Sequence, residues 1–130
     1  PEVKGEKFIR ENLAYDLIDE KYCMCVLRKI IYIGEYQEDG LTNRATELEM
    51  KSPYGAAMYR YGEYTKAADV KNKIRQLAAY IFFMNKAGRQ RELLRKVGIV
   101  RVIILSPLAF LGGIRYKFIL KGKQDKDGKI

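Results

Sequence analysis

The side chains that stand out chemically are the lysines and arginines between residues 66 and 101, where only Asp69 and Glu92 oppose them. Arginine suits phosphate, because its planar guanidinium can bond two phosphate oxygens at once. A solvated helix face normally alternates in sign, and here the balancing carboxylates are missing. We therefore predict a nucleic-acid-binding surface made of Arg60, Lys66, Lys71, Lys73, Arg75, Lys86, Arg89, Arg91, Arg95, Lys96 and Arg101.

The spacing of these residues indicates how they are presented. At 100° per residue on a helix, Lys71, Arg75 and Lys86 fall on one stripe. Arg91 and Arg95 are four residues apart, which places them one turn apart on the same face. Nothing in the pattern suggests a base-reading code, so we expect contacts to the nucleic-acid backbone without strong sequence preference.

Charge divides the chain near residue 50. Residues 1–50 carry 7 Lys or Arg against 11 Asp or Glu, whereas residues 51–130 carry 18 against 5. The acidic part could repel the polyanion that the basic part attracts, or it could dock on the basic surface of a neighbouring copy. The length suits one domain. We predict a single domain over 1–120, with an acidic helical half (1–50) and a basic half (51–120), followed by a polar tail (121–130).

Catalytic and metal-binding patterns are missing from the sequence. The chain has no histidine, which removes Ser-His and Cys-His pairs and histidine-metal sites. It contains neither of the common glycine-rich phosphate loops. We therefore predict no enzyme activity, no cofactor and no metal. Asparagine and glutamine are scarce, which suits a protein from a hot environment or a genome biased toward Ile and Lys.

Apolar periodicity predicts a mainly helical chain. Residues 6–33 and 42–51 fit helices, although residues 23–33, which are apolar on all sides, could instead form a strand. The clearest helix runs over 66–87, with Thr65 or Asp69 at its start. The predicted inward stripe of this last helix is Val70, Ile74, Leu77, Ile81 and Met84. We expect a helical bundle whose long amphipathic helices pack against neighbouring subunits.

Two structures remain open for residues 99–120. The β-branched residues 99–105 could form one strand of a hairpin and residues 114–120 the other, with a break at Gly112 and Gly113. This would give an α+β winged helix with a C-terminal hairpin. An apolar pair of helices fits almost as well. The longest uncharged run, 102–114, has 13 residues, and a spanning helix needs ~20. We therefore predict a chain that does not span a membrane, although this run could lie against lipid or another protein.

Aromatic residues precede the basic region and are mixed with it. Tyrosines can stack on bases or sugars, or they can bond phosphate through the hydroxyl. They can equally pack along the edge of a core. The sequence leaves both roles open for Tyr54, Tyr59, Tyr61 and Tyr64, which surround Arg60 and precede Lys66.

These features favour a structural protein, many copies of which coat nucleic acid through phosphate contacts. The alternative is a winged helix-turn-helix transcription regulator that binds a specific DNA site as a dimer. In that alternative, a turn at Gly88 separates two helices and residues 99–120 form the wing.

The whole chain resembles a known family through its amphipathic stretch Glu6–Ile33, its basic run Lys66–Arg101, its many tyrosines and its lack of histidine. It is similar to the major coat proteins of filamentous viruses of hyperthermophilic archaea, of the tristromavirus type. The resemblance implies a largely α-helical virion protein of the nucleocapsid, without enzyme activity and intracellular before assembly. It further implies that pairs of related coat proteins wrap double-stranded DNA and hold it in A-form. The partners are then nucleic acid, other copies of the chain, a related second coat protein and an envelope.

Overall fold

The computed structural model describes residues 5–23, 25, 28–30, 32–33 and 41–127, and these ranges contain helices and no strand. The helices are α1 (Glu11–Asp19), α2 (Leu41–Lys51), α3 (Pro53–Lys66), α4 (Val70–Lys86), α5 (Gln90–Val97) and α6 (Ile99–Asp127). The prediction of a mainly helical bundle is confirmed. The winged-helix alternative is not supported, because the residues assigned to its hairpin lie in α6.

Helix α4 occupies the centre of the bundle. It packs along α3 on one side and α6 on another, and α5 folds back against its end. The small side chains of Ala56 and Ala57 are fully buried, which lets α3 approach α4 closely. The core consists of Ala56, Ala57, Leu77, Ala78, Tyr80, Ile81, Phe83, Met84, Leu93, Val97 and Ala109.

The helix predicted over 66–87 is present as α4, but it begins four residues later, at Val70, so of the two predicted start signals Asp69 is right and Thr65 is wrong. Asp69 is its N-cap, and the carboxylate accepts a hydrogen bond from the Asn72 N–H at 3.0 Å. Gly88 follows the helix with a φ of +71°, a conformation that favours glycine, so the chain turns there into α5. Leu77, Ile81 and Met84 are buried as predicted, but Val70 and Ile74 are exposed.

The exposure of Val70 and Ile74 follows from their position in α4. Val70 and Ile74 occupy the first turns of α4 and line an open groove beside α6. Further along the helix, Tyr80 and Phe83 are fully buried as well, so the second half of α4 is covered on several sides. The apolar stripe therefore identified the helix, but it did not show how far along the helix the core extends.

The predicted helix over 6–33 is wrong in its extent, since α1 covers only Glu11–Asp19. Before α1 the chain is extended, because Glu6 and the Phe8 N–H bind the start of α3 instead of continuing a helix. After α1, the described residues up to 33 are not helical. Ile30 and Ile33 are exposed there, and without packing a helix of β-branched residues is weak.

The breaks predicted within 99–120 are also wrong, because α6 is continuous. Gly113 lies where the ring of Phe82 crosses α6, and an added Cβ there would overlap that ring. Glycine is thus used for close packing of α6 on α4, and this packing outweighs its low helix propensity. The Ser106 hydroxyl, next to Pro107, donates to the Val102 carbonyl at 2.6 Å. The helix ends at Asp127, so it includes most of the predicted polar tail, and residues 128–130 lie outside the described ranges.

The length of α6 bears on the prediction that the chain does not span a membrane. Within the described residues, Ile99–Gly122 is one helical segment of 24 residues that is long and apolar enough to cross a membrane. Of the 18 consecutive residues that are most apolar in this segment, only 11% are buried in the bundle. The uncharged run 102–114 is too short to span a membrane by itself. The helix, however, continues beyond both ends of this run, past Arg101 on one side and Arg115 on the other. Length therefore no longer argues against spanning, and the absence of a span stays a prediction.

Candidate nucleic-acid interface

Glu49 forms a buried ionic cluster that binds two arginines. Its side chain is 1% exposed, and it accepts hydrogen bonds from Arg10 Nε at 2.6 Å and from Arg60 Nη2 at 3.2 and 3.3 Å. Arg60 also donates to the Tyr116 hydroxyl at 2.9 Å, which links α3 to α6. Arg60 was predicted to bind nucleic acid, but this geometry directs its guanidinium into the bundle.

Three other predicted residues also have acidic partners within the chain. Lys66, at the end of α3, forms an ion pair with Asp16 of α1, and this contact raises the pKa of the lysine. Arg89 and Lys96 both approach Glu92, at 3.4 and 3.6 Å. These pairs are exposed enough to exchange with a ligand, but part of their charge is already balanced.

Glu6, another residue of the acidic half, also binds within the chain. Its carboxylate accepts hydrogen bonds from the N–H groups of Tyr54 and Gly55 at 2.5 and 2.6 Å. Pro53 occupies the first turn of α3, so these are the first free donors of that helix, and a negative charge is favourable there. A Cβ on Gly55 would lie 3.0 Å from the Phe8 carbonyl oxygen, so glycine permits this close approach.

The tyrosines pack along the edge of the core. Tyr54, Tyr61 and Tyr64 pack against the core cluster. Tyr59 lies beneath the guanidinium groups of Arg10 and Arg60, which are 4.7 and 5.2 Å from its ring centroid. The role left open by the sequence is therefore mainly structural packing in the free chain.

The remaining predicted residues are all exposed, and none makes an ion pair with an acidic residue that the structure describes. They are Lys71, Lys73 and Arg75 in the first half of α4, Lys86 at its end, Arg91 and Arg95 on α5, and Arg101 on α6. Arg91 and Arg95 lie opposite the buried Leu93 and Val97, so they point outward. We call these seven residues the free basic set.

One part of the free basic set borders a groove between α4 and α6. The groove has a volume of about 970 Å³, and Lys71 and Arg75 line it together with Arg115 of α6. Its walls are largely apolar and include Val70 and Ile74. Sequence reasoning missed Arg115 because residues 114–120 were open to assignment as a strand, which would have placed this arginine elsewhere.

Comparisons with known proteins identify no relative. No protein-family model, no curated protein and no solved structure matches this chain. Among the residues described above, no group of three acidic or cysteine side chains is arranged to hold a metal ion.

Proposed function

We propose that this chain is a structural nucleic-acid-coating protein, a virion coat or nucleocapsid protein that polymerises on DNA through phosphate contacts without sequence preference. The observation that carries the proposal is the free basic set: seven exposed cations on α4, α5 and α6 that no described carboxylate neutralises. Cations in this state gain most from phosphate, because no internal ion pair has to be broken before binding.

The internal ion pairs support the same proposal. Glu6, Asp16 and Glu49 of the acidic half bind α3 or its neighbours within the chain. Their negative charge is therefore held close to positive groups and opposes a polyanion less than the sequence suggests. Net charge is +9, so the chain as a whole attracts a polyanion.

Assembly is the second part of the proposal. Other copies of the chain, and in the resemblance a related second coat protein, would continue the coat along double-stranded DNA. The protein would act without enzyme activity or a cofactor, in the nucleocapsid of a virion, and would be intracellular before assembly. The alternative of a winged-helix regulator has lost its structural premise, because its wing is part of α6.

The test measures affinity for two duplexes of equal length and unrelated sequence by fluorescence anisotropy over a range of salt concentrations. We expect equal affinities and a steep salt dependence. Arg91→Gln and Arg95→Gln should each weaken binding equally on both duplexes and lower the salt slope by about one. Lys51→Gln is the matched control, because it removes the same charge from a lysine already paired with Glu47. It should leave the slope unchanged.

Microscopy tests polymerisation. Negative-stain images with long heterologous double-stranded DNA at low salt should show regular filaments on DNA of any sequence. Discrete dimers that bind only certain fragments would contradict the coat proposal and favour a regulator. A salt slope that falls as much in Lys51→Gln as in Arg91→Gln would show that net charge, rather than the free basic set, determines binding.

A further inference from the structure

Helix α6 has two faces that differ in their surroundings. One face packs on the bundle and includes Leu105, Ala109 and Tyr116. The opposite face is apolar and exposed: at 100° per residue, Val100, Ile104, Leu111 and Phe118 fall within about 40° of one another. The exposed members of this outer face are Val100, Ile103, Ile104, Phe110, Leu111 and Phe118, each at least 61% exposed.

Basic residues border this outer face on both sides. Arg101 and Arg115 lie along one border, Lys117 lies along the other, and Lys121 ends the apolar face beside Gly122. Between Ile99 and Gly122 the helix carries these four cations and no Asp or Glu. An apolar face between basic borders is the pattern of helices that lie in the surface of an anionic membrane, with lysine and arginine reaching the headgroups.

We propose that the outer face of α6 binds an anionic lipid membrane, with the helix lying in the plane of its surface and the bundle remaining intact. The charge of the borders selects this occupant. A second copy docked on the same face would bring four cations of each chain together with no Asp or Glu between Ile99 and Gly122 to balance them, whereas phospholipid phosphates supply the opposite charge. The proposal shares Arg101 with the free basic set, but the apolar outer face has no part in the proposed nucleic-acid contacts.

Two features favour a helix that lies on the membrane over one that crosses it. The packed face would have to leave α4, which would separate Gly113 from the ring of Phe82. In addition, Arg101 and Arg115 are separated by about 21 Å along the helix at 1.5 Å per residue. The hydrocarbon core is roughly 30 Å thick, so a spanning helix would place at least one of the two arginines inside it.

The first measurement uses tryptophan fluorescence, since the chain contains no tryptophan. Phe110→Trp and Phe118→Trp place the probe on the outer face, and Tyr15→Trp on α1 is the control at another exposed aromatic position. Vesicles of equal parts phosphatidylcholine and phosphatidylglycerol should shift the emission of the first two variants to the blue and leave the control unchanged. Lipids brominated near the headgroup should quench more strongly than lipids brominated at the chain ends.

The second measurement is flotation with the same vesicles. Ile104→Ser combined with Leu111→Ser should reduce the bound fraction at least about tenfold, because two buried aliphatic side chains are lost. Leu17→Ser combined with Ile18→Ser is the matched control on the exposed side of α1 and should float like the parent chain. Arg115→Gln combined with Lys117→Gln should weaken flotation, and phosphatidylcholine vesicles should bind far less protein.

Four results would overturn the proposal. The first is equal flotation with and without phosphatidylglycerol. The second is that vesicles leave the emission of the Phe110→Trp and Phe118→Trp variants unchanged, although circular dichroism shows that these variants are folded. The third is a blue shift that depends on protein concentration without vesicles, which would assign the face to a second copy. The fourth is quenching strongest at the bilayer centre, which would indicate a spanning helix. None of these measurements contains DNA, so a failure here is separate from a failure of the coat proposal.

Discussion

Replacement of Glu49 by glutamine tests whether the buried ionic cluster stabilises the bundle. Glu49 lies in α2 and accepts hydrogen bonds from Arg10, before α1, and from Arg60, in α3. Arg60 continues the cluster to α6 through Tyr116. The Glu49→Gln variant keeps the size of the side chain and one acceptor oxygen, but it removes the negative charge between the two guanidinium groups.

The expected loss follows from how well each arginine can recover. Arg10 is 31% exposed and lies over the ring of Tyr59, so water can replace much of what it loses. Arg60 is 17% exposed and would remain a charge in the bundle without a carboxylate. Removing one partner of a buried pair costs about 3–5 kcal/mol. Because glutamine still accepts one hydrogen bond, we expect the free energy of unfolding to fall by about 3 kcal/mol.

Urea denaturation followed by far-UV circular dichroism measures this change as a lower midpoint at constant slope. Glu47→Gln is the matched control, since Glu47 lies in the same helix but forms exposed pairs with Arg44 and Lys51. Its midpoint should change little, because water screens such pairs. Equal midpoints for the two variants would refute the argument, since the cluster would then contribute no more than surface charge.

Two further predictions concern the glycines of α6 and the buried side chain of Tyr80. Gly113→Ala should destabilise the fold by about 1–3 kcal/mol, because the new Cβ would overlap the Phe82 ring, whereas Gly112→Ala meets no atom and should stabilise the helix by about 0.5–1 kcal/mol in the same urea assay. Burial raises the pKa of Tyr80 to about 12, whereas a tyrosine in the unfolded chain has a pKa of about 10. Above pH 10 the unfolded state therefore loses the proton first. The free energy of unfolding should fall by roughly 2 kcal/mol as the pH rises from 10 to 12. In Tyr80→Phe this part of the decline should disappear, and stability at pH 7 should rise by about 1 kcal/mol, because the Tyr80 hydroxyl has no hydrogen-bond partner among the described residues. An unchanged alkaline profile in that variant, or a Gly112→Ala loss as large as that of Gly113→Ala, would contradict these two arguments.

The sequence predicted those elements that local signals determine. Helix α4 follows from its apolar period, and its start and end follow from Asp69 and Gly88, which act on their own neighbours. Helix α6 was left open because glycine, proline and β-branched residues oppose a helix locally. What decides its structure is the contact between Gly113 and Phe82, which are distant in sequence.

The candidate site could be predicted only in part for the same reason. A basic side chain has the same local pattern whether it faces solvent or a carboxylate. Arg60 and Arg91 are both arginines in amphipathic segments, but Arg60 meets Glu49 and Tyr116, 11 and 56 residues away in sequence. Such partners become known only from the fold. Sequence therefore identified the polyanion-binding candidates as a group and could not separate structural arginines from free ones.

The internal ion pairs also restrict how one copy could contact another. One of the two roles considered for the acidic half was docking on the basic surface of a neighbour, but Asp16 and Glu49 already have basic partners in their own chain. Among the described residues of the acidic half, Glu11, Asp19 and Glu20 remain exposed without such a pair, all on or beside α1. Within the part of the chain that the structure describes, α1 and its neighbouring residue therefore carry the acidic side chains of this half that are open to a charge contact between subunits. Reversal of these three charges should impair filament growth while leaving the affinity for short duplexes intact or higher, because phosphate binding and subunit contact use different helices.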